Sequence, residues 1–288
     1  MKKKLFILMI IFGVLYFFVK DKSLFNSDET FKNKIVLLAN LDSGEILYEN
    51  NSKQSYPVAS MSKLMTYYVV MDKIENSEFG LDDYITIEEE DTFYNNSEYS
   101  NFKTTVGEEL SIEELLNGLM IVSGNDAASI LARYSSGTEE EFVEEMNNKA
   151  SELKLKNSKF VNPTGITKDS GEYNRMSARD LFNLAKNIFE KYPSVSAYAK
   201  TRVLHMEERD FYGESTLPIT KYYDEMIGLK TGYTEEAGYG FVGVFEIYSD
   251  EKDEIQRYVT VINGAKTPEE RIHLTEKLID KVKKADNR

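Results

Sequence analysis

Residues 64–71 read Leu-Met-Thr-Tyr-Tyr-Val-Val-Met and are apolar almost all round. A helix without a polar face has to lie inside a domain, so whatever this chain folds into is built around that segment. Ser60 and Lys63 stand immediately ahead of it. Residues three apart share a helix face, and a helix from Ser60 onward therefore brings a hydroxyl within reach of an amine. Pro57 precedes the pair, where a helix start tolerates proline and free N–H groups can meet an anion.

A serine hydroxyl needs a neighbouring base to become a nucleophile, and lysine is a base only as the neutral amine. Bringing its pKa from about 10.4 to near 7 takes roughly 4–5 kcal/mol of burial and repulsion from another cation. The buried helix offers the first, and a second lysine would offer the other. By itself the spacing is weakly specific, because Ser100 to Lys103, Ser151 to Lys154 and Ser249 to Lys252 repeat it in polar surroundings.

Composition removes several classes of function. The net charge of −14 over 288 residues argues against nucleic acid, whose phosphates need clustered Lys and Arg. The chain has no cysteine, which excludes thiol catalysis, thiolate metal sites and disulfides. Its two histidines, His205 and His273, lack the spaced partners of a zinc site and are expected to pack or face solvent.

Lys2, Lys3 and Lys4 precede the uncharged run Leu5 to Val19, which Lys20 ends. A positive segment followed by an apolar one is an export signal, so residues 1–22 are expected to be a signal peptide or an N-terminal membrane anchor, and 23–32 a linker. No A-x-A-like cleavage site follows, which favours the anchor, although fifteen apolar residues fall short of the roughly 17–25 that span a bilayer.

Further along, Ile35–Leu41, Asp42-Ser43-Gly44 and Glu45–Tyr48 read as strand, turn and strand. Residues 76–107 are acidic and irregular, and Glu88-Glu89-Glu90-Asp91 is expected to be solvated. Ser111 to Glu114 is a capping box opening a helix that stops at Ser123-Gly124-Asn125, where another begins with Asp126. Helices are also expected from Thr138 to about Leu153 and from Ser177 to about Tyr192, with a turn-rich loop Phe160–Gly165 between them. Strands return at Arg202–Phe211, Met226–Gly232, Tyr239–Tyr248 and Gln256–Asn263, and Thr267-Pro268-Glu269-Glu270 starts a final helix. This order predicts an α+β domain over 33–288. Its antiparallel sheet of about five strands is built from both chain ends and flanked by helices. An all-helical insert at about 75–195 forms a second lobe, with the site in the cleft between.

Lys230-Thr231-Gly232 lies on an apolar strand beside that cleft and occurs once, as does Ser123-x-Asn125. Glycine lets a ligand approach the backbone closely, and the N–H groups of Tyr233 and Ser60 together could form an oxyanion hole. Ser-x-x-Lys, Ser-x-Asn and Lys-Thr-Gly in that order resemble the penicillin-recognising serine enzymes. The words VASMSKLMT, SGNDAA, FVNPTG and GLKTGYTEEAGYG resemble, within that group, the low-molecular-weight D-alanyl-D-alanine carboxypeptidases, over about residues 33–282.

The resemblance implies the β-lactamase/transpeptidase-like fold and a reaction in which Ser60 attacks the penultimate D-Ala carbonyl of a peptidoglycan stem peptide ending in D-Ala-D-Ala. It implies that Lys63 takes the serine proton, that Ser123 relays a proton to the leaving amine, and that Asn125 binds the substrate amide. Lys230 and Thr231 would hold the terminal carboxylate, Gly232 and Tyr233 would border it, and β-lactams would acylate Ser60. No metal or organic cofactor is implied. Better-known members continue past the last helix into a β-rich domain and a C-terminal membrane helix, whereas this sequence stops at Arg288; membrane attachment is thus expected at the N-terminus, on the extracytoplasmic face, with secretion after cleavage as the alternative. Two rival functions share the motifs, a serine β-lactamase and a non-catalytic peptidoglycan-binding protein. The first normally adds a deacylating glutamate in a Glu-x-x-Leu-Asn segment, where this chain reads Lys159-Phe160-Val161-Asn162-Pro163-Thr164-Gly165. The second usually loses a motif residue, and none is missing.

Overall fold

The computed structural model describes residues 29–95, 98–250 and 252–286. The expected leader at 1–22 lies outside them, and so does the linker up to residue 28. In chain order, strands β1 (Ile35–Asn40), β2 (Ile46–Asn50) and β3 (Tyr56–Pro57) lead into helix α1 (Lys63–Glu75). Strands β4 (Tyr84–Thr86) and β5 (Glu109–Ser111) bracket the acidic stretch, and α2 (Ile112–Met120), α3 (Asn125–Ser136) and α4 (Glu139–Glu152) follow. After β6 (Arg175–Met176) come α5 (Ala178–Lys191) and α6 (Ser196–Lys200). Strands β7 (Val203–Met206), β8 (Phe211–Glu214), β9 (Met226–Thr234), β10 (Gly238–Ser249) and β11 (Glu254–Ala265) precede the closing helix α7 (Pro268–Asp286).

Among the described residues the main sheet has five antiparallel strands in the order β2-β1-β11-β10-β9. The two ends of the chain meet in it, with Ile35 opposite Asn263 and Asn40 opposite Tyr258. Side chains alternate across a strand, and both faces of this sheet are covered. Leu37, Ala39, Leu229, Val242, Val244, Val259 and Val261 join the core that holds α1, α2, α3 and α5. Val36, Leu38, Phe241, Phe245 and Ile262 pack instead against Leu274, Leu278, Ile279 and Val282 of α7. That double cover explains why β1 is buried at every position. Helix α1 is likewise buried without interruption from Lys63 to Val70, as its sequence demanded.

Four expectations need correction. Ser60 is not in an α-helix: Ala59–Ser62 form a 3₁₀ turn and α1 begins at Lys63. Pro57 does not open that helix, since it pairs with Arg175 across β3 and β6. The segment Arg202–Phe211 is no single strand; β7 and β8 form a separate, largely exposed hairpin around a 3₁₀ turn at Glu207–Arg209, which the left-handed Asp210 reverses. The acidic run is not wholly solvated either, as Asp91 is buried and its Oδ2 accepts from Arg133 at 2.7 Å.

The helix caps are those the sequence carries. Ser111 Oγ accepts the Glu114 N–H at 3.2 Å while the Glu114 carboxylate accepts the Ser111 N–H at 2.8 Å, and Thr138, Ser177 and Thr267 accept from residues three further on. Ser111→Ala is expected to lower the unfolding free energy by about 1 kcal/mol, read from urea denaturation; an unchanged midpoint would show that the box contributes nothing.

Candidate active site

A 3₁₀ turn has three residues per revolution, so Ser60 and Lys63 eclipse each other more directly than they would on an α-helix. Lys63 Nζ lies 3.0 Å from Ser60 Oγ. The turn is strained, with Ala59 at φ +47°, a left-handed conformation that costs an L-residue roughly 1–2 kcal/mol. Local bonds over-determine it: Met61 N–H donates to Val58 O at 3.1 Å and Ser62 Oγ to Ala59 O at 2.8 Å. The loop at 162–166 sits directly on this carbonyl. A Cβ added to Gly165, itself at φ +91°, would lie 2.1 Å from Ala59 O.

Lys63 is fully buried and donates to Asn125 Oδ1 and to the Thr164 carbonyl, each at 2.6 Å. A neutral amine has two hydrogens and one lone pair. The two shortest contacts take the hydrogens, which leaves the lone pair toward Ser60. Burial first, and then the nearby Lys230 charge, hold the Lys63 amine well below its usual pKa, with Asp126 opposing.

The junction between α2 and α3 supplies Ser123 and Asn125. Ser123 has φ +63°, which turns its hydroxyl into the cleft, where it accepts from Lys230 Nζ at 2.8 Å. Asn125 is oriented from behind, since the Ser100 carbonyl accepts both its backbone N–H and its Nδ2, each at 2.9 Å. An amide nitrogen carries two hydrogens, so one remains for a ligand. Next to it, the buried Asp126 carboxylate accepts the N–H groups of Phe102, Thr104 and Ala127, pinning the 100–104 segment to α3.

Strand β9 is an edge of the main sheet and runs past the serine turn at van der Waals contact. A Cβ on Gly232 would stand 2.6 Å from Val58 O and 3.1 Å from Met61 N, and one on Gly240 would stand 2.3 Å from Met61 Cε. Lys230 and Thr231 are buried on this strand, while the Tyr233 side chain is exposed and stacks on Tyr239 with ring centroids 4.3 Å apart. The structure thus brings together Ser60, Lys63, Ser123, Asn125, Lys230, Thr231 and Gly232. The Tyr233 ring does not join them and points outward. Both histidines are exposed.

Sequence reasoning missed three contributors. Thr164 acts through its carbonyl, and a backbone atom has no residue type to read, although the FVNPTG word around it was visible. Asp126 adjoins the Ser-x-Asn motif but passed as a helix-start residue. Arg271 on α7 carried no signal. Its half-buried guanidinium faces the Tyr239 ring at 5.9 Å, and burial together with its charge brings Lys230 down to about 7.

A family model described as D-alanyl-D-alanine carboxypeptidase matches residues 23–266. The chain is 35% identical over 266 residues to the D-alanyl-D-alanine carboxypeptidase DacF of Bacillus subtilis, covering 91% of this chain and 65% of that one. It is 30% identical over 243 residues to the D-alanyl-D-alanine carboxypeptidase DacA of Haemophilus influenzae, covering 80% and 56%. The chain therefore spans less than two thirds of the length of these relatives. Among solved structures it is similar to a peptidoglycan synthesis regulatory factor (PBP3) from Streptococcus pneumoniae, with a TM-score of 0.79, 29% identity and coverage of 87% and 71%. It is also similar to penicillin-binding protein D2 from Listeria monocytogenes in its cefotaxime-bound form, with a TM-score of 0.75, 28% identity and coverage of 86% and 96%.

The depressed Lys230 amine has a consequence for stability. Folded, it loses its proton near pH 7; unfolded, only near 10.5. Between those values the unfolded chain binds the extra proton, so stability rises with pH, by about 1.4 kcal/mol per unit once the folded amine is neutral. The stability of wild type relative to Lys230→Met should therefore climb above about pH 7 and level off as the unfolded amine titrates. A difference that stays flat across a pH series of denaturation curves would mean that Lys230 keeps its ordinary pKa.

Proposed function

The chain belongs to the D-alanyl-D-alanine carboxypeptidase family, the S11 peptidases, and from that membership we propose that it is a serine-type carboxypeptidase removing the terminal D-Ala from peptidoglycan stem pentapeptides. The observation that carries this reading is a pair of buried amines, each bonded to one serine hydroxyl: Lys63 to Ser60 at 3.0 Å and Lys230 to Ser123 at 2.8 Å. One hydroxyl is the nucleophile and the other stands where a leaving group needs a proton.

In the proposed reaction Ser60 Oγ gives its proton to Lys63 Nζ and its electron pair to the penultimate D-Ala carbonyl carbon. The N–H groups of Ser60 and Tyr233 hold the resulting oxyanion. The C–N bond then breaks as Ser123 relays to the departing D-Ala amine the proton that Lys63 took up; water, giving a proton to the freed Lys63, attacks the acyl carbon, and Ser60 Oγ leaves by taking that proton back. Lys230, as the ammonium, and the Thr231 hydroxyl receive the terminal carboxylate, Gly232 allows its approach, and the free Nδ2 hydrogen of Asn125 meets the substrate amide. Residues 33–288 form the catalytic unit in this reading, with the insert at about 75–195. The 1–22 segment exports it to the extracytoplasmic face, as an anchor or as a cleaved signal.

β-Lactams likewise present an amide carbonyl and a carboxylate, with the amide strained by its ring, and would acylate Ser60. Residues 159–166 contain no carboxylate and offer Lys63 only a carbonyl, so the acyl-enzyme should turn over slowly, unlike that of a β-lactamase. Incubated with penicillin, wild type should gain one β-lactam mass that persists, and Ser60→Ala none; with a pentapeptide ending in D-Ala-D-Ala, only wild type should release D-Ala. Rapid multiple turnover of a chromogenic cephalosporin would favour the β-lactamase, and labelling of Ser60→Ala would remove Ser60 from its role.

A further inference from the structure

We infer that Asn162 and Asn174 are positioning residues for proton transfer from Ser60 to Lys63, acting through the Thr164 carbonyl; the inference rests on the carboxypeptidase reading above. Asn174 is completely buried. Its Oδ1 accepts the N–H groups of Val161 at 2.7 Å and Asn162 at 3.2 Å, and its Nδ2 donates to Ser62 Oγ at 2.9 Å and to Asn162 O at 2.8 Å. Asn162 is also buried. Its Oδ1 accepts from Gly165 N at 2.7 Å and Thr164 Oγ1 at 3.2 Å, and its Nδ2 donates to Ile166 O at 2.7 Å. Thr66 Oγ1 on α1 donates to Pro163 O at 2.7 Å.

Both sides of the Thr164 peptide are therefore tied down, and the same network reaches the serine turn, from Asn174 to Ser62 Oγ and on to Ala59 O. It fixes the donor of the proton and one acceptor of the base's own hydrogens in a single frame. The transfer breaks the Ser60 O–H bond and forms a third N–H bond on Lys63, while the Oγ pair goes to the carbonyl carbon. For that, the lysine lone pair must face Ser60 in the resting state, and it does so only while Thr164 O and Asn125 Oδ1 occupy the other two directions. Without the Thr164 carbonyl the amine can rotate and donate to Ser60 instead of accepting from it. After transfer, the same two oxygens stabilise the new ammonium without reorganising.

Neither asparagine contacts the substrate in this reading, which separates the inference from a binding role. Saturation kinetics of acylation by a fluorescent penicillin, on the whole chain, give the dissociation constant of the initial complex and the acylation rate constant separately. In Asn162→Ala and Asn174→Ala the rate constant should fall about 10- to 100-fold, a large part of what a general base contributes, with the dissociation constant unchanged. Leu278→Ala, in the core on the far face of the sheet, serves as a destabilised control that should keep the wild-type rate constant. If Asn174→Ala does not fold, Asn162→Ser makes the same comparison. Asparagine variants acylated as fast as the control would overturn the inference, whereas a wild type that is not acylated at all would overturn the carboxypeptidase reading.

Discussion

Two lysine amines without solvent exposure, Lys63 and Lys230, set the terms for the rest of the structure. A charged amine taken out of water is costly unless it is paired or gives up its proton. Their hydrogen-bond partners here are hydroxyls and carbonyl or amide oxygens, which satisfy an amine without forcing it to stay charged. Burial first, and then a neighbouring cation, disfavours the proton on each, with Lys230 acting on Lys63 and Arg271 acting on Lys230. Asp126 pulls the other way; burial raises its own pKa, opposed by three backbone N–H groups and by Arg209. A base needs this balance, because it must be neutral at rest and still able to take a proton.

Holding such a chain of charges requires unusually close backbone contacts. Gly232 and Gly165 both stand where any side chain would collide with the backbone of residues 58–61, from opposite sides of the serine turn. That turn is pressed between the edge strand β9 and the 162–166 loop, which is how a left-handed Ala59 persists. Strain of this kind survives only where the surroundings leave no alternative.

The helical part is fastened to the sheet part beside the second serine. Arg209, at the tip of the β7–β8 hairpin, lies over the Phe102 ring at 4.1 Å and donates to Glu108 at 2.7 Å. Gly213 of the same hairpin leaves room for Val122, and Thr216 N–H donates to Ile121 O at 3.0 Å. The segment Ile121–Ser123 is thus clasped between a hairpin that departs from the main sheet and the loop that Asp126 pins. Ser123 then reaches Lys230 across the cleft through parts of the chain about a hundred residues apart in sequence.

Local sequence by itself determined the longer helices and their caps, the strands of the main sheet and the buried α1, because these depend on residue type, on periodicity and on side chains a few residues apart. It also singled out the residues that the fold brings together, since Ser60, Lys63, Ser123, Asn125 and Lys230 stand in short words whose residue types are themselves the signal. What it left open was contact over long separations: the burial of Asp91 by Arg133 and the entry of Arg271 into the electrostatics of Lys230. The tertiary structure alone decided how the Lys63 amine is oriented. The two oxygens that orient it, Asn125 Oδ1 and Thr164 O, come from segments 62 and 101 residues away, and one of them is a backbone atom that any residue would supply.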